Sequence, residues 1–297
     1  MNLANFIEHS HLPASYAESA ERCYLPFGDW LEEQLVEQQG ETYVLGINGA
    51  QGTGKSTLAR LISEYLSTTH QRRVAILSID DLYLTLAERD SLAKQVHPML
   101  RTRGVPGTHD VTLGLSIIEQ LKSLGQDQVV SVPRFDKSRD DRCEMANWSR
   151  IGGPVDLLIF EGWCVASQAQ HDADLQEPVN DLEATADEDG RWRGYVNDQL
   201  RDSYAQLFSG LDSVLFLQAP SFDAILNWRT EQEHRLRESA AENADAIMSD
   251  AQVIEFIRYY ERVTLNNLKV LPNLADATIK LDLDHQAVSL EFAKARS

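Results

Sequence analysis

Apolar residues along this chain fall into short blocks set apart by longer amphipathic stretches. Residues 44–48 (VLGIN), 73–79 (RVAILSI), 155–160 (VDLLIF), 213–218 (SVLFLQ) and 277–283 (ATIKLDL) read as strands. Several are apolar at nearly every position, the mark of a strand buried on both faces. Segments 55–66, 113–124, 192–208, 224–237 and 250–267 repeat apolar residues at helical spacing. Residues 129–135 predict a further extended segment. Strands separated by helices predict an α/β fold with a mainly parallel sheet covered on both sides. Ligands on such sheets bind beyond the C-terminal ends of the strands. Residues 1–40 predict a helical N-terminal extension, with Pro13 and Pro26 breaking the pattern and 30–38 amphipathic. The remainder, 41–297, predicts one domain. An acidic, apolar-poor stretch near 171–190 predicts a surface insertion.

Composition narrows the partners. The chain has 297 residues, 43% hydrophobic and 25% charged, enough for one large core. No apolar run approaches the roughly 20 residues that span a bilayer, and the first residues lack a secretion signal, so a cytoplasmic protein without membrane contact is expected. With 46 acidic against 27 basic residues, net charge −19, bulk nucleic-acid binding is not expected. Clustered arginines can still form a positive pocket on an acidic protein. Cys23, Cys143 and Cys164 are odd in number and widely spaced, which suits reduced thiols. Monomer and homodimer both stay open.

The chemistry gathers at the tips of the predicted strands. After the first, Gly49, Ala50, Gln51, Gly52, Thr53, Gly54, Lys55 and Ser56 fit G-x-x-x-x-G-K-S/T, the phosphate-binding loop. Backbone N–H groups and the N-terminus of the next helix favour an anion there. Lys55 would reach the β- and γ-phosphates of ATP. The Ser56 hydroxyl would hold Mg²⁺, with Thr57 a secondary contact. At the second tip, Asp80 is the expected base for an acceptor hydroxyl, also near the metal. Asp81 is a helper or a helix cap, and Tyr83 a substrate wall or core packing. Glu161, at the tip of the VDLLIF block, is the expected second acid on the metal side. Two polar segments, 101–110 and 133–142, hold Arg103, Arg134 and Arg139, read as contacts to an anionic acceptor or as solvated charges, and His109, read as a substrate contact or a cap on Asp110 or a turn. In the helix that follows the SVLFLQ block, Arg229 is expected to reach the transferred phosphoryl group from a lid. Arg235 and Arg237 are left open, since an exposed helix laced with Glu–Arg pairs would look the same.

The blocks GINGAQGTGKST, SIDDLYLT, RGVPGTHD, VPRFDKS and IFEGW, in this order, resemble D-glycerate 3-kinases of the plant type and their fungal and bacterial relatives. These sit in the wider group of P-loop kinases with phosphoribulokinase, uridine kinase and pantothenate kinase. The resemblance runs from about residue 43 to 284. It implies the three-layer sandwich of P-loop NTPases, ATP and Mg²⁺ as cofactors, and a small hydroxy acid, D-glycerate, as acceptor. It places the catalytic acid at Asp80 and the metal-side acid at Glu161, and the RGVPGTHD and VPRFDKS blocks on the acceptor side. The chain has Gln51-Gly52-Thr53-Gly54 where the plant loop is usually Ser-Gly-Cys-Gly-like, and Leu82 where Phe is common. A kinase for a pantothenate-like acid or a nucleoside is the alternative. A nucleotide-binding regulatory ATPase without a metabolite acceptor is the other.

Overall fold

The computed structural model describes residues 1–38, 40–239 and 248–293. Six strands form the main sheet: β1 (Tyr43–Gly49), β2 (Val74–Ser78), β3 (Leu157–Gly162), β4 (Ser213–Gln218), β5 (Ala277–Leu281) and β6 (Ala287–Phe292). Their spatial order is β6-β5-β4-β1-β3-β2. All neighbours are parallel except β6, which returns antiparallel to β5.

Helices cover both faces: α1 (Leu25–Glu37), α2 (Lys55–Thr69), α3 (Leu86–Gln95), α4 (Val111–Lys122), α5 (Arg191–Arg201), α6 (Ser203–Phe208), α7 (Phe222–Ser239) and α8 (Asp250–Val270). Successive strand residues point to opposite faces, so one block feeds two cores. Leu45, Ile47, Leu157 and Ile159 pack with Phe27, Leu31, Leu58 and Ile62 on the side of α1 and α2. Val44, Leu158 and Phe160 pack with Ile117, Leu200 and Tyr204 on the other side. The three layers expected from the sequence are present. Phe6, Ala20 and Cys23 from the first forty residues share the first of these cores.

Several local expectations shift. Pro26 does not break α1; it sits in the first turn, where its missing N–H has no intrahelical role. The predicted helix 192–208 is split at Asp202 into α5 and α6. Residues Val129–Val132 leave the main sheet and pair with Ser149–Gly152. The acidic stretch is only partly on the surface. Glu183 and Asp187 are buried, because Arg262 of α8 holds Glu183 at 2.6 and 2.8 Å and Arg193 of α5 holds Asp187 at 2.9 Å. Pairing satisfies both charges, which a reading of hydropathy alone cannot register.

Candidate active site

A cleft of about 1450 Å³ opens at the C-terminal ends of β1, β2 and β3. The loop from β1 to α2 forms its floor. Gly52 and Gly54 both have φ of +84°, a conformation that strains any residue with a Cβ. A Cβ on Gly52 would also press on Trp228 of α7 at 3.2 Å. Gly49, Ala50 and Thr53 are buried beneath this floor and do not line the cleft. The Thr53 hydroxyl closes the turn on the Ala50 carbonyl at 2.8 Å, so it shapes the loop. Gln51, Gly52, Gly54, Lys55, Ser56 and Thr57 face the cleft.

β3 lies between β1 and β2, and its register places Glu161 opposite Ile47 and Ser78. Glu161 is 4% exposed. Its Oε1 accepts from the Ser56 hydroxyl at 2.9 Å, while Oε2 is buried without a hydrogen-bond partner. An orphaned carboxylate oxygen beside a hydroxyl is a hard, oxygen-only donor set, the type that suits Mg²⁺.

Asp80 and Asp81 lie in a 3₁₀ turn, Ile79–Leu82, just past β2, rather than in extended strand. The Ser78 hydroxyl caps the turn on the Asp80 amide at 3.3 Å. Asp80 faces the cleft. Its Oδ1 accepts from the Tyr83 hydroxyl at 2.9 Å and its Oδ2 from the Lys137 ammonium at 2.7 Å. Burial alone would raise its pKa, but Lys137 and Lys55 outweigh burial and hold it below the ordinary value, so the group is a carboxylate. Asp81 accepts the Phe135 amide at 3.0 Å and sits 3.9 Å from Arg134, and burial raises its pKa against those two partners. Asp81 thus ties the Phe135–Asp136 strand to β2's tip while lining the cleft beside Asp80.

Tyr83 lines the cleft and is also packed. Burial and the Asp80 charge push its phenol well above the usual range, which keeps it a donor. His109 stands behind it, outside the cleft lining, and this corrects the substrate-contact reading. The ring is buried, stacked on Tyr83 at 4.5 Å between centroids, with Nδ1 2.5 Å from the Tyr204 hydroxyl. That hydroxyl oxygen also accepts from the Gly107 amide at 2.9 Å, and His109 Nε2 is buried without a hydrogen-bond partner. Burial brings the His109 pKa down to about 3, with Asp80 pulling weakly the other way.

Arg103 lines the cleft, paired with Asp140 and 5.5 Å from the Phe135 ring centroid. Arg134 lines it too. Arg139 is exposed and outside the lining, between Ser138 and Asp140, which line it. Arg229 lines the cleft from α7 and is paired with buried Glu233 four residues on. Arg237 donates to the Met248 carbonyl at 2.9 Å, and the Arg235 side chain lies outside the described residues.

Lys137 is the site residue that sequence reasoning passed over. It was visible only as one cation within VPRFDKS. Its contact reaches Asp80, 57 residues earlier, because Phe135–Asp136 pairs antiparallel with Asp141–Arg142 and turns the segment over the cleft. No spacing rule encodes that fold-back.

Among the described residues no helix is long and apolar enough to cross a membrane. A family model described as methylmalonyl Co-A mutase-associated GTPase MeaB matches residues 15–82, the stretch with the phosphate loop and Asp80. The uncharacterized kinase mug58 of Schizosaccharomyces pombe is 34% identical over 241 residues, 77% of this chain and 82% of its own. The chloroplastic D-glycerate 3-kinase of Arabidopsis thaliana is 29% identical over 255 residues, 80% of this chain and 52% of its own. The chain thus spans about half the length of that plant relative. A D-glycerate 3-kinase structure from Cryptococcus neoformans var. grubii superposes with a TM-score of 0.75 at 24% identity, covering 91% of this chain and 98% of the other. Similar to the D-glycerate 3-kinases, the chain belongs to the kinase family of the Schizosaccharomyces relative and is a phosphotransferase.

Proposed function

We propose that this enzyme transfers the γ-phosphate of ATP to a hydroxyl of a small organic acid, D-glycerate, giving 3-phosphoglycerate. The observation that carries this reading is the Asp80 carboxylate held at the tip of β2, in one cleft with Lys55, Ser56 and Glu161. The relatives named D-glycerate 3-kinase support the choice of acceptor.

Ser56 and Glu161 are the residues that would hold Mg²⁺, with Asp80 lining the same cleft. When bound, the ion would neutralise charge on the triphosphate oxygens. Lys55 and the loop amides bind the phosphates. Asp80 accepts the proton as the acceptor oxygen bonds to the γ-phosphorus; the bond to the β,γ-bridging oxygen breaks and its electron pair leaves with ADP. Arg103 and Arg134 face the acceptor from the 101–110 and 133–142 segments. Arg229 exchanges Glu233 for the phosphoryl group as α7 closes. We infer that residues 1–40 serve as a helical extension of the kinase domain 41–297, and that the enzyme works in the cytoplasm.

An acceptor panel with ADP release as readout tests the reading. D-glycerate should accelerate ADP release at least tenfold over pantothenate, uridine and no acceptor. Faster turnover with pantothenate or uridine would reassign the acceptor. ADP release that no hydroxyl compound accelerates would point to a regulatory ATPase.

A further inference from the structure

We propose that Lys137 reads the carboxylate of the acceptor and releases Asp80 only once that carboxylate is in place. This rests on the hydroxy-acid reading above and identifies a residue that selects the acid. Both Asp80 oxygens already carry a donor: Tyr83 at 2.9 Å on Oδ1, Lys137 at 2.7 Å on Oδ2. The two contacts differ in kind. Tyr83 is buried and cannot leave, whereas the Lys137 side chain is 61% exposed and reaches Asp80 from across the cleft.

The backbone beneath Lys137 is fixed. Phe135 donates its amide to Asp81, and the Asp136 carboxylate accepts from the Ser138 amide at 2.9 Å and hydroxyl at 2.6 Å. Arg142, on the returning strand, donates to the Tyr83 carbonyl at 2.9 Å. A long flexible ammonium on a rigid root can swing between partners without moving the loop. Three of the arginines around it are already engaged: Arg103 with Asp140, Arg142 with Asp110 at 3.2 Å, and Arg89, fully buried, with the carbonyls of Leu84, Arg101 and Asp140, while Arg134, 3.9 Å from Asp81, lines the cleft as a second cation for the acid.

An incoming carboxylate offers Lys137 the same charge and geometry it now finds on Asp80. Exchange onto the acceptor frees Oδ2 to take the hydroxyl proton. Water or a neutral alcohol offers no such partner, so the base stays capped and ATP is spared from hydrolysis. One lysine therefore couples recognition of the acid, to which Arg134 also contributes, to suppression of idle turnover.

The experiment measures D-glycerate KM and acceptor-free ADP release for wild type, Lys137→Ala and Lys137→Arg. Loss of one charge-assisted hydrogen bond predicts a KM increase of roughly ten- to a hundredfold in Lys137→Ala. Acceptor-free ADP release should rise severalfold in the same variant, while Lys137→Arg keeps KM closer to wild type. A variant that is merely damaged loses both activities, so the gain in idle turnover marks the exchange. A Lys137→Ala enzyme with unchanged KM, or with no gain in acceptor-free release, overturns the proposal. Wild-type enzyme that accepts no hydroxy acid removes the underlying reading first, before any variant is compared.

Discussion

Asp80 divides its carboxylate between a buried phenol and an exposed ammonium, and each donor makes a separate demand on function. The Tyr83 hydroxyl holds the orientation of Oδ1. Tyr83→Phe keeps the ring stacked on His109 and removes only that bond. It should lower kcat by about ten- to a hundredfold, the worth of a hydrogen bond to a charged group, with little change in Tm. Unchanged kcat would show that Asp80 needs no such support. His109 affects stability. In the folded chain it stays neutral down to about pH 3, whereas unfolded it protonates below its ordinary value of 6.5. Between those pH values the unfolded state binds a proton that the native state does not. Stability therefore falls as pH drops through that window, by up to about 1.4 kcal/mol per unit. His109→Gln should flatten this acid limb in urea titrations; an identical slope would place the lost stability elsewhere. At this scale the sequence was partly legible. Ser56, Asp80 and Glu161 follow from strand ends and one motif. The difference between His109, behind the wall, and Lys137, on it, depends on packing that no local pattern carries.

The elements around the cleft are held by polar clasps that hydropathy does not reveal. The helix α8 brings Tyr260 to the cleft wall, where its hydroxyl donates to the Arg103 carbonyl at 3.3 Å. Close approach there needs Gly104, whose φ is +140° and whose absent Cβ would lie 2.2 Å from the Tyr260 hydroxyl. Further along α8, Arg262 is clamped by Glu183 of the acidic stretch. Both side chains are almost fully buried. Glu183→Ala leaves a buried guanidinium without its acid and should cost about 3–5 kcal/mol of stability. Denaturant unfolding would measure this, and a loss below about 1 kcal/mol would mean the pair is already solvated. Helix and strand blocks were legible because their periods are local. The helix α3, opened by a Thr85–Glu88 capping box, lies in a polar stretch whose apolar signal is too weak to announce it. The short ribbons at 129–132 and 135–142 depend on partners far along the chain.

For the molecule as a whole, the strand order matters most. β1, β3 and β2 lie side by side, so the phosphate loop, Glu161 and Asp80 emerge at one edge of the sheet. A parallel sheet could be read from buried strands alternating with helices. The order of its strands, and the antiparallel return of β6, could not, because pairing between distant blocks leaves no trace in spacing. The gathering of cations in the cleft of an acidic chain is likewise a product of folding. The net charge of −19 belongs to the chain, while Lys55, Lys137, Arg103, Arg134 and Arg229 converge only in three dimensions. The central claim is that Asp80 takes the acceptor's proton in this cleft. Its most direct test is steady-state and ATP-binding measurement on Asp80→Asn, which keeps shape and removes basicity. The claim predicts kcat lower by roughly 10²–10⁴-fold with ATP affinity within a few-fold of wild type; near-normal kcat in that variant would contradict it.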